Sequence, residues 1–205
     1  MAFQAVFFDL GGVIVRTEYQ APRQHLAERL GTEYEDLVRA VFGSETARQA
    51  SLGKISEAQH WDFVARRFGR PPSEAQALRG EFYGGDIVDH ELIEFIRSLR
   101  PRFKTGVISN AFSGLRQYMI DNKFEDAFDR IIISAEVGAM KPEPGIFQIA
   151  LESSGVPAEA AVFVDDFPEN LEGARTVGMA TVHFRDPAKA VAEIEALLNH
   201  HPHLP

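Results

Sequence analysis

The chain has 205 residues, of which 45% are hydrophobic, and this suits one large globular domain or a core with an inserted lobe. It contains no cysteine, which excludes disulfides and thiolate chemistry, and its formal net charge of -9 argues against a nucleic-acid partner. Because no apolar run is long enough to span a bilayer and the first residues lack a signal-peptide pattern, we expect a cytoplasmic protein without a membrane partner.

The first predicted element is a short buried strand from Ala5 to Phe8, formed by four apolar residues in succession. Asp9 follows it directly, and Gly11 and Gly12 then allow the backbone to turn sharply and to approach a ligand closely. In open α/β sheets, ligands bind outside the carboxyl ends of the strands. Asp9 is therefore expected at the edge of a sheet where chemistry takes place.

The segment from Thr17 to Val88 is predicted to be helical, with no buried strand. Apolar residues recur there at helical spacing, in stretches separated by Gly, Pro and Ser. One of these helices starts at Ser56, with Gln59 three residues later as in a capping box, and Trp61 is assigned to packing within the lobe. We therefore predict a core made of residues 1–16 and 89–205, and an inserted helical lobe made of residues 17–88.

From Asp89 onward, predicted helices and strands alternate along the chain. The strands are placed at residues 105–108, 130–134, 160–164 and 180–184, and the helices at residues 91–99, 113–122, 144–153, 169–177 and 187–198. Such alternation predicts an α/β fold, in which a parallel sheet is covered by helices on both faces.

Several polar groups fall at or just beyond the ends of the predicted strands, on the same edge as Asp9. Each of them alone is explained by helix capping or by solvation, but together they are hard to assign to turns. In chain order they are Ser109 and Asn110 after one strand, Lys141 shortly before a helix, Asp165 and Asp166 after another strand, and Asn170 one turn later.

The chemistry of these side chains suits phosphoryl transfer. Asp9 and Asp166 can hold Mg²⁺, a hard cation that prefers oxygen ligands and neutralises phosphate charge. Ser109 and Asn110 can donate hydrogen bonds to phosphoryl oxygens, and Lys141 adds a positive charge for the transferring group. The carboxylate of Asp9 is then free to act as a nucleophile and to form an aspartyl-phosphate.

The motifs FDLGGVIV, VISNA, KPEPGIF and FVDDFPEN occur in this order, and with them the chain resembles the haloacid dehalogenase-like (HAD) hydrolase superfamily, subfamily I. The resemblance covers residues 1–15 and about 89–183. It implies a Rossmann-like core under a mobile helical cap of the C1 type. It also implies site roles: Asp9 as nucleophile, Ser109 as phosphate binder, Lys141 as the motif-three lysine, Asp166 as main metal ligand with the carbonyl of Gly11, and Asp165 and Asn170 as supporting residues.

Gly11 departs from the pattern of the family. Family phosphatases usually carry a second Asp two residues after the nucleophile, which acts as acid and base for the leaving group. Gly11 has no side chain to move a proton, although a recognisable subgroup resembling sugar-phosphate phosphatases shares this glycine. General acid–base catalysis contributes about 10²–10⁴-fold, so we expect slow turnover or a substitute acid.

Three functions remain as alternatives. The leading prediction is a Mg²⁺-dependent phosphatase of a small phosphorylated metabolite, sugar phosphates included, with no obligate protein partner. A 2-haloacid dehalogenase would use Asp9 to attack carbon without a metal, but that branch typically lacks the motif-four carboxylates and often has an aromatic residue in place of Gly11. The retained Asp165 and Asp166 therefore favour the phosphatase. The third alternative is a HAD-like binding protein that has lost turnover.

Overall fold

The structure is a computed structural model and describes residues 2–200 of the chain. Its strands are β1 (Ala5–Phe8), β2 (Val15–Thr17), β3 (Asp86–Val88), β4 (Lys104–Ser109), β5 (Arg130–Ile133), β6 (Ala161–Asp165) and β7 (Ala180–His183). Its helices are α1 (Ala21–Leu30), α2 (Tyr34–Phe42), α3 (Glu45–Ser51), α4 (Glu57–Arg67), α5 (Ala75–Phe82), α6 (His90–Leu99), α7 (Leu115–Asp121), α8 (Ser134–Val137), α9 (Pro144–Ser154), α10 (Pro168–Thr176) and α11 (Pro187–His200). None of the helices within this described range combines the length and the apolar character needed to cross a bilayer.

The core is a sheet of five parallel strands in the order β5-β4-β1-β6-β7. Strand β1 lies in the middle, where Phe8 is paired with Val107 of β4 on one side and with Val164 of β6 on the other. The carboxyl ends of parallel strands lie at one edge, so the residues that follow β1, β4 and β6 meet there. The prediction of an α/β fold built on a parallel sheet is confirmed.

Helices cover both faces of this sheet because its strands are apolar on both sides. Consecutive side chains of β1 point to opposite faces. Phe7 belongs to an apolar cluster with side chains of α9 and α10, whereas Phe8 belongs to a second cluster with side chains of α6 and α11. Each buried ring contributes roughly 1.5–3 kcal/mol of burial free energy. A strand anchored on both faces gives the residue that follows it, Asp9, a rigid support.

Helices α1 to α5 form a separate helical unit, residues 21–82, with an apolar cluster of its own. Trp61 and Phe82 are at its centre and are at most 2% exposed. The predicted capping box at the start of α4 is present: Gln59 N–H donates to Ser56 Oγ at 3.1 Å, and Ser56 N–H donates to Gln59 Oε1 at 2.9 Å. The unit is thus a helical layer that packs around its own core.

The prediction that residues 17–88 hold only helices was wrong at both ends of the segment. Strand β3 pairs with β2 in an antiparallel ribbon, in which Val15 lies opposite Val88 and Thr17 opposite Asp86. Each strand has three residues; β2 is half-buried throughout, and in β3 only Val88 is buried, so neither shows the apolar run that marks a buried strand. The ribbon contains both chain connections between the core and the helical unit.

Candidate active site

Asp9 is held at the end of β1 by hydrogen bonds to its backbone and to one carboxylate oxygen. Its N–H donates to the carbonyl of Val164 at 2.8 Å, which continues the ladder of β6. The Leu10 N–H donates to Oδ1 at 2.6 Å, and Lys141 Nζ forms an ion pair with the same oxygen at 2.8 Å. The other oxygen, Oδ2, makes no hydrogen bond within the described residues.

Burial makes the charge of this carboxylate costly. Asp9 is 6% exposed, and desolvation raises its pKa from 3.8 to about 6 against the opposing effect of Lys141. The neighbouring Asp165 adds to the increase, because two carboxylates repel each other. A cation placed beside Asp9 would restore its charged, nucleophilic form.

Lys141 lies between two carboxylates of different strands. Its Nζ is 2.8 Å from Asp9 Oδ1 and 2.7 Å from Asp165 Oδ2, and the ring of Phe163 lies 5.2 Å from the ammonium group. The whole lysine is 2% exposed. A buried ammonium is tolerated where it is paired in this way, so the geometry places a fixed positive charge next to the candidate nucleophile.

The two adjacent carboxylates after β6 have different surroundings. Asp165 is fully buried and accepts hydrogen bonds from Lys141 Nζ, from the Phe167 N–H at 2.7 Å and from Asn170 Nδ2 at 3.1 Å. Asp166 Oδ1 is buried but has no hydrogen-bond partner within the described residues. Burial, and to a lesser extent the negative charge of Asp165, raises the pKa of Asp166. Both carboxylate oxygens of Asp165 are thus bound by groups of the protein, whereas Asp166 Oδ1 is available to bind a ligand.

These groups fit a divalent cation. Asp9, Asp165 and Asp166 each offer a carboxylate oxygen, and the three oxygens lie within 4.8 Å of one another. A methyl group at Gly12, whose φ is +83°, would collide with Asp166 Oδ2, so only glycine lets this carboxylate approach the turn. The carbonyl of Gly11 accepts no hydrogen bond within the described residues. An all-oxygen donor set of this kind suits Mg²⁺.

Ser109 and Asn110 are adjacent in the chain but have different contacts. Ser109 ends β4, is 3% exposed, and its hydroxyl makes no hydrogen bond within the described residues. The amide of Asn110 is bound to the Lys141 backbone: Nδ2 donates to the Lys141 carbonyl at 2.8 Å, and the Lys141 N–H donates to Oδ1 at 2.7 Å. Both polar atoms of the Asn110 side chain are therefore bound to the Lys141 backbone, while the predicted role of Asn110 in phosphate binding stays a prediction. The two residues are 31 positions apart, so their contact is invisible in the sequence.

Two polar residues at strand ends were missed by the sequence reasoning. Ser134 follows β5 and is fully buried; its Oγ accepts from the Ala111 N–H at 3.0 Å and so holds the loop after Ser109. His183 ends β7, and its Nε2 is 3.1 Å from the carbonyl of Asp166. The signal that could have found both is the one that found Asp9: a polar residue directly after an apolar strand.

The helical unit contacts the core beside this site, on the loop after β4 and on α8. The rings of His60 in α4 and Phe112 in the loop have centroids 5.0 Å apart. A methyl group at Gly53, between α3 and α4, would collide with the carbonyl oxygen of Ala135 in α8. Both core segments begin at the carboxyl edge of the sheet, so the helical unit lies against the edge that carries the candidate site.

Comparison with known proteins agrees with this architecture. The sesquiterpene phosphatase astK of Aspergillus oryzae is 28% identical over 201 residues, which cover 96% of this chain and 97% of that protein. Bifunctional epoxide hydrolase 2 of Rattus norvegicus is 29% identical over 215 residues, which cover 95% of this chain. The chain spans only 39% of the length of that rat protein.

Among solved structures, a HAD family enzyme from Bacteroides thetaiotaomicron, in complex with magnesium and inorganic phosphate, superposes with a TM-score of 0.75. Its sequence identity is 21%, over 90% of this chain and 95% of that chain, and the likeness shows a shared fold. The sequence pattern of the haloacid dehalogenase-like hydrolases matches residues 3–178. The chain therefore belongs to the haloacid dehalogenase-like hydrolase family.

Proposed function

We propose that this hydrolase is a Mg²⁺-dependent phosphatase that acts on a small phosphorylated metabolite, sugar phosphates included, through an aspartyl-phosphate on Asp9. The observation that carries the proposal is the buried and unpartnered Asp166 Oδ1 beside Asp9. Unpaired buried oxygens of this kind are costly, and a bound cation removes that cost. A dehalogenase that attacks carbon without a metal has no use for this atom.

In the first step, Asp9 Oδ2 attacks the phosphorus atom while Oδ1 stays fixed by Lys141 and the Leu10 N–H. The P–O bond to the leaving group breaks, and its electron pair passes to the leaving oxygen, which takes a proton from water. The hydroxyl of Ser109 and the ammonium group of Lys141 stabilise the phosphoryl oxygens. Gly11 contributes no acid to this step.

In the second step, water attacks the phosphorus of the aspartyl-phosphate, which regenerates the carboxylate of Asp9 and releases inorganic phosphate. The residues suited to hold the metal are Asp9 and Asp166, with the carbonyl of Gly11. When bound there, Mg²⁺ supplies positive charge that neutralises the phosphate. Asp165 keeps Lys141 in place through its 2.7 Å ion pair in both steps.

Two relatives support this reaction class. The Aspergillus oryzae protein, which matches nearly the whole chain, is a phosphatase of sesquiterpenes. The Bacteroides thetaiotaomicron enzyme of the same fold was crystallised with magnesium and inorganic phosphate. Both facts favour phosphorus over carbon as the atom attacked.

We further propose that residues 17–88 act as a cap that closes over the site and sets specificity, while residues 1–16 and 89–205 form the catalytic core. The helical unit has its own apolar cluster and is joined to the core by the two short strands β2 and β3, which suits movement as a body. Its contact with the loop after β4, which begins at the carboxyl edge of the sheet, supports the proposal. Closure of such a lid excludes bulk water from the reaction.

The experiment is a screen of phosphorylated metabolites for release of inorganic phosphate, with and without Mg²⁺, using Asp9→Asn as the blank. Halide release from 2-haloacids is measured in the same samples. Mg²⁺-dependent phosphate release that the Asp9→Asn protein lacks supports the proposal. Halide release in the presence of EDTA would instead identify a dehalogenase, and turnover of neither class would identify a binding protein.

A further inference from the structure

We propose that Asn110 is a positioning residue that holds Lys141 between its two carboxylates, and that it is not a ligand of the substrate phosphate. The proposal rests on the proposed function for its chemical consequence, while its geometric part stands on the structure alone. Asn110 follows Ser109 directly, so two adjacent residues at the end of β4 have different roles in this proposal: Ser109 binds the substrate phosphate, and Asn110 positions Lys141.

The contact between Asn110 and Lys141 is a paired hydrogen bond. The amide nitrogen donates to the Lys141 carbonyl at 2.8 Å, and the amide oxygen accepts from the Lys141 N–H at 2.7 Å. Both polar groups of one backbone residue are therefore bound by one side chain. This arrangement fixes the position and the orientation of that backbone more strongly than a single bond does.

Lys141 needs such support because its segment lies outside the helices and the sheet. It falls in the turn between α8 and α9, and its backbone takes part in no strand pairing. The Asn110 amide supplies the backbone hydrogen bonds that strand pairing would otherwise give, because Asn110 directly follows β4, which is paired with β1 on one side and β5 on the other. The turn is thereby tied to the sheet at the residue that carries the ammonium group.

The fixed backbone determines where the ammonium group lies. A lysine side chain has four rotatable bonds, and Nζ must remain 2.8 Å from Asp9 and 2.7 Å from Asp165. A shift of the turn by one ångström would break one of these ion pairs or tilt the charge away from the phosphoryl oxygens. Misplacement of this size costs about 10²-fold in rate.

The first test is a kinetic cycle with Asn110→Ala, Lys141→Ala and the double variant, using an aryl phosphate whose good leaving group keeps slow variants measurable. We expect Asn110→Ala to lower kcat by about 10²-fold and to change KM by less than about threefold. In the Lys141→Ala background the same change should cost less than about threefold, because Asn110 acts through Lys141. A large rise in KM with unchanged kcat, or an equal loss in both backgrounds, would overturn the proposal.

A further variant, Asn110→Asp, separates the positioning role of Asn110 from a direct contact with the substrate. It keeps the size of the side chain and the acceptor for the Lys141 N–H, but it replaces the donor by an oxygen that faces the Lys141 carbonyl. We expect a kcat between those of wild type and Asn110→Ala, with KM unchanged. If Asn110→Asp raised KM instead, because a carboxylate repels the phosphate, Asn110 would be a substrate contact.

A matched control is Asn122→Ala. Its amide also donates to a backbone carbonyl, that of Tyr118 at 2.8 Å, at the end of α7 and away from the site. This variant should keep the wild-type kcat and KM, which shows that losing an Asn-to-backbone bond is harmless elsewhere.

The second test does not depend on activity. Crystal structures of the wild type and of Asn110→Ala, both without substrate, report the position of Lys141 Nζ. We expect Nζ to move beyond 4 Å from Asp9 or Asp165 in the variant, and an unmoved Nζ would refute the positioning role. If the wild type released no phosphate at all, the proposed function would fail while this comparison would still decide the role of Asn110.

Discussion

Two clusters of buried charge, one at the catalytic edge and one at the ribbon below the helical unit, are balanced in different ways. At the catalytic edge, Lys141 is the ammonium shared by Asp9 and Asp165, and Asp166 lies beside them with a buried, unpartnered oxygen. Within these four residues, three carboxylates face one cation. Burial, and to a lesser extent the neighbouring charge of Asp165, raises the pKa values of Asp9 and Asp166.

At the ribbon, a buried arginine is paired with a buried carboxylate. Arg23 Nη2 forms an ion pair with Asp86 Oδ1 at 2.9 Å, and its Nε donates to the Phe82 carbonyl at 3.0 Å. Asp86 also accepts from Thr17 Oγ1 at 2.8 Å. The two side chains are 9% and 14% exposed, so this pair is nearly as buried as the catalytic cluster but is neutral.

The difference separates a pair of charges that neutralise each other from a cluster that keeps a surplus of negative charge. The neutral pair of Arg23 and Asp86, together with the Thr17 hydroxyl, holds α1, β3 and β2 together. A surplus of negative charge with a free oxygen destabilises the protein by itself and is tolerated where a ligand neutralises it. The predictions below test this contrast.

The largest effect is expected for Asp9→Asn. It should lower phosphate release by about 10⁴-fold or more, because the nucleophile is lost, while circular dichroism shows an intact fold. Substantial residual activity would contradict the covalent mechanism.

The same variant should also stabilise the metal-free protein. Folded Asp9 keeps its proton up to a pH of about 6, whereas the unfolded chain loses it near pH 3.8, so stability falls as pH rises between these values. Asp9→Asn should therefore match wild type below pH 3.8 and exceed it in thermal midpoint above pH 6. Equal thermal midpoints of the two proteins at pH 7 would show that the charge of Asp9 does not destabilise the folded state.

Removal of the metal should abolish activity without unfolding the protein. Chelation by EDTA leaves three carboxylates around one lysine, and we expect phosphate release to stop and to return when Mg²⁺ is added in excess. Mg²⁺ should also raise the thermal midpoint of the wild type more than that of Asp166→Asn. Unchanged phosphate release in EDTA would contradict the metal requirement, whereas halide release in EDTA would favour the dehalogenase.

The next effect concerns the absent acid at Gly11. Because no side chain there protonates the leaving group, aryl and acyl phosphates and sugar 1-phosphates should be hydrolysed better than simple alkyl phosphates. Gly11→Asp should help the poorest leaving groups most, by up to about 10²–10⁴-fold. The structure accommodates the change: Gly11 has no positive φ, and no atom lies within 4 Å of an added Cβ.

The measurement is a series of phosphate esters of graded leaving-group pKa, assayed with wild type and Gly11→Asp. A flat dependence in the wild type, with chemistry rate-limiting, would mean that another residue already serves as the acid.

Asp86→Asn should affect stability and leave the chemistry intact. It removes the partner of Arg23 and should lower the free energy of unfolding by about 1–3 kcal/mol, measured by urea denaturation. Asp36→Asn is the control, because its ion pair with Arg39 is exposed and should be worth less than about 1 kcal/mol. Equal losses in the two variants would remove the distinction between buried and exposed pairs.

The smallest effect is expected where the helical unit meets the core. Gly53→Ala introduces both a strained φ of +68° and a collision with the Ala135 carbonyl. Gly69→Ala is matched, because Gly69 has the same φ of +68° but no atom within 4 Å of an added Cβ. We expect Gly53→Ala to raise KM severalfold more than Gly69→Ala, through hindered closure. Equal kinetics would argue against the cap.

The core was predicted from the local pattern of apolar and polar residues. Apolar runs placed the five parallel strands, and a polar residue after such a run marked Asp9, Ser109 and Asp165. These signals are readable because strand burial and strand ends are properties of a few consecutive residues. The α/β fold followed from the alternation of strands with helices.

The ribbon shows the limit of such reading. Strands β2 and β3 have three residues each, and Val15 pairs with Val88 across the whole helical unit. A strand of this length becomes stable through its partner and not through its own composition. The sequence therefore contains no sign of a strand at either place, and the pairing was missed.

The sequence by itself determined the five core strands, most of the helices and most of the polar residues at one edge of the sheet, because these depend on local apolar pattern and on parallel topology. Only the tertiary structure decided what each polar atom does there. It bound the Asn110 amide to Lys141, satisfied Asp165 and left Asp166 Oδ1 free. These differences arise from contacts between residues distant in the chain, which set burial and hydrogen bonding atom by atom.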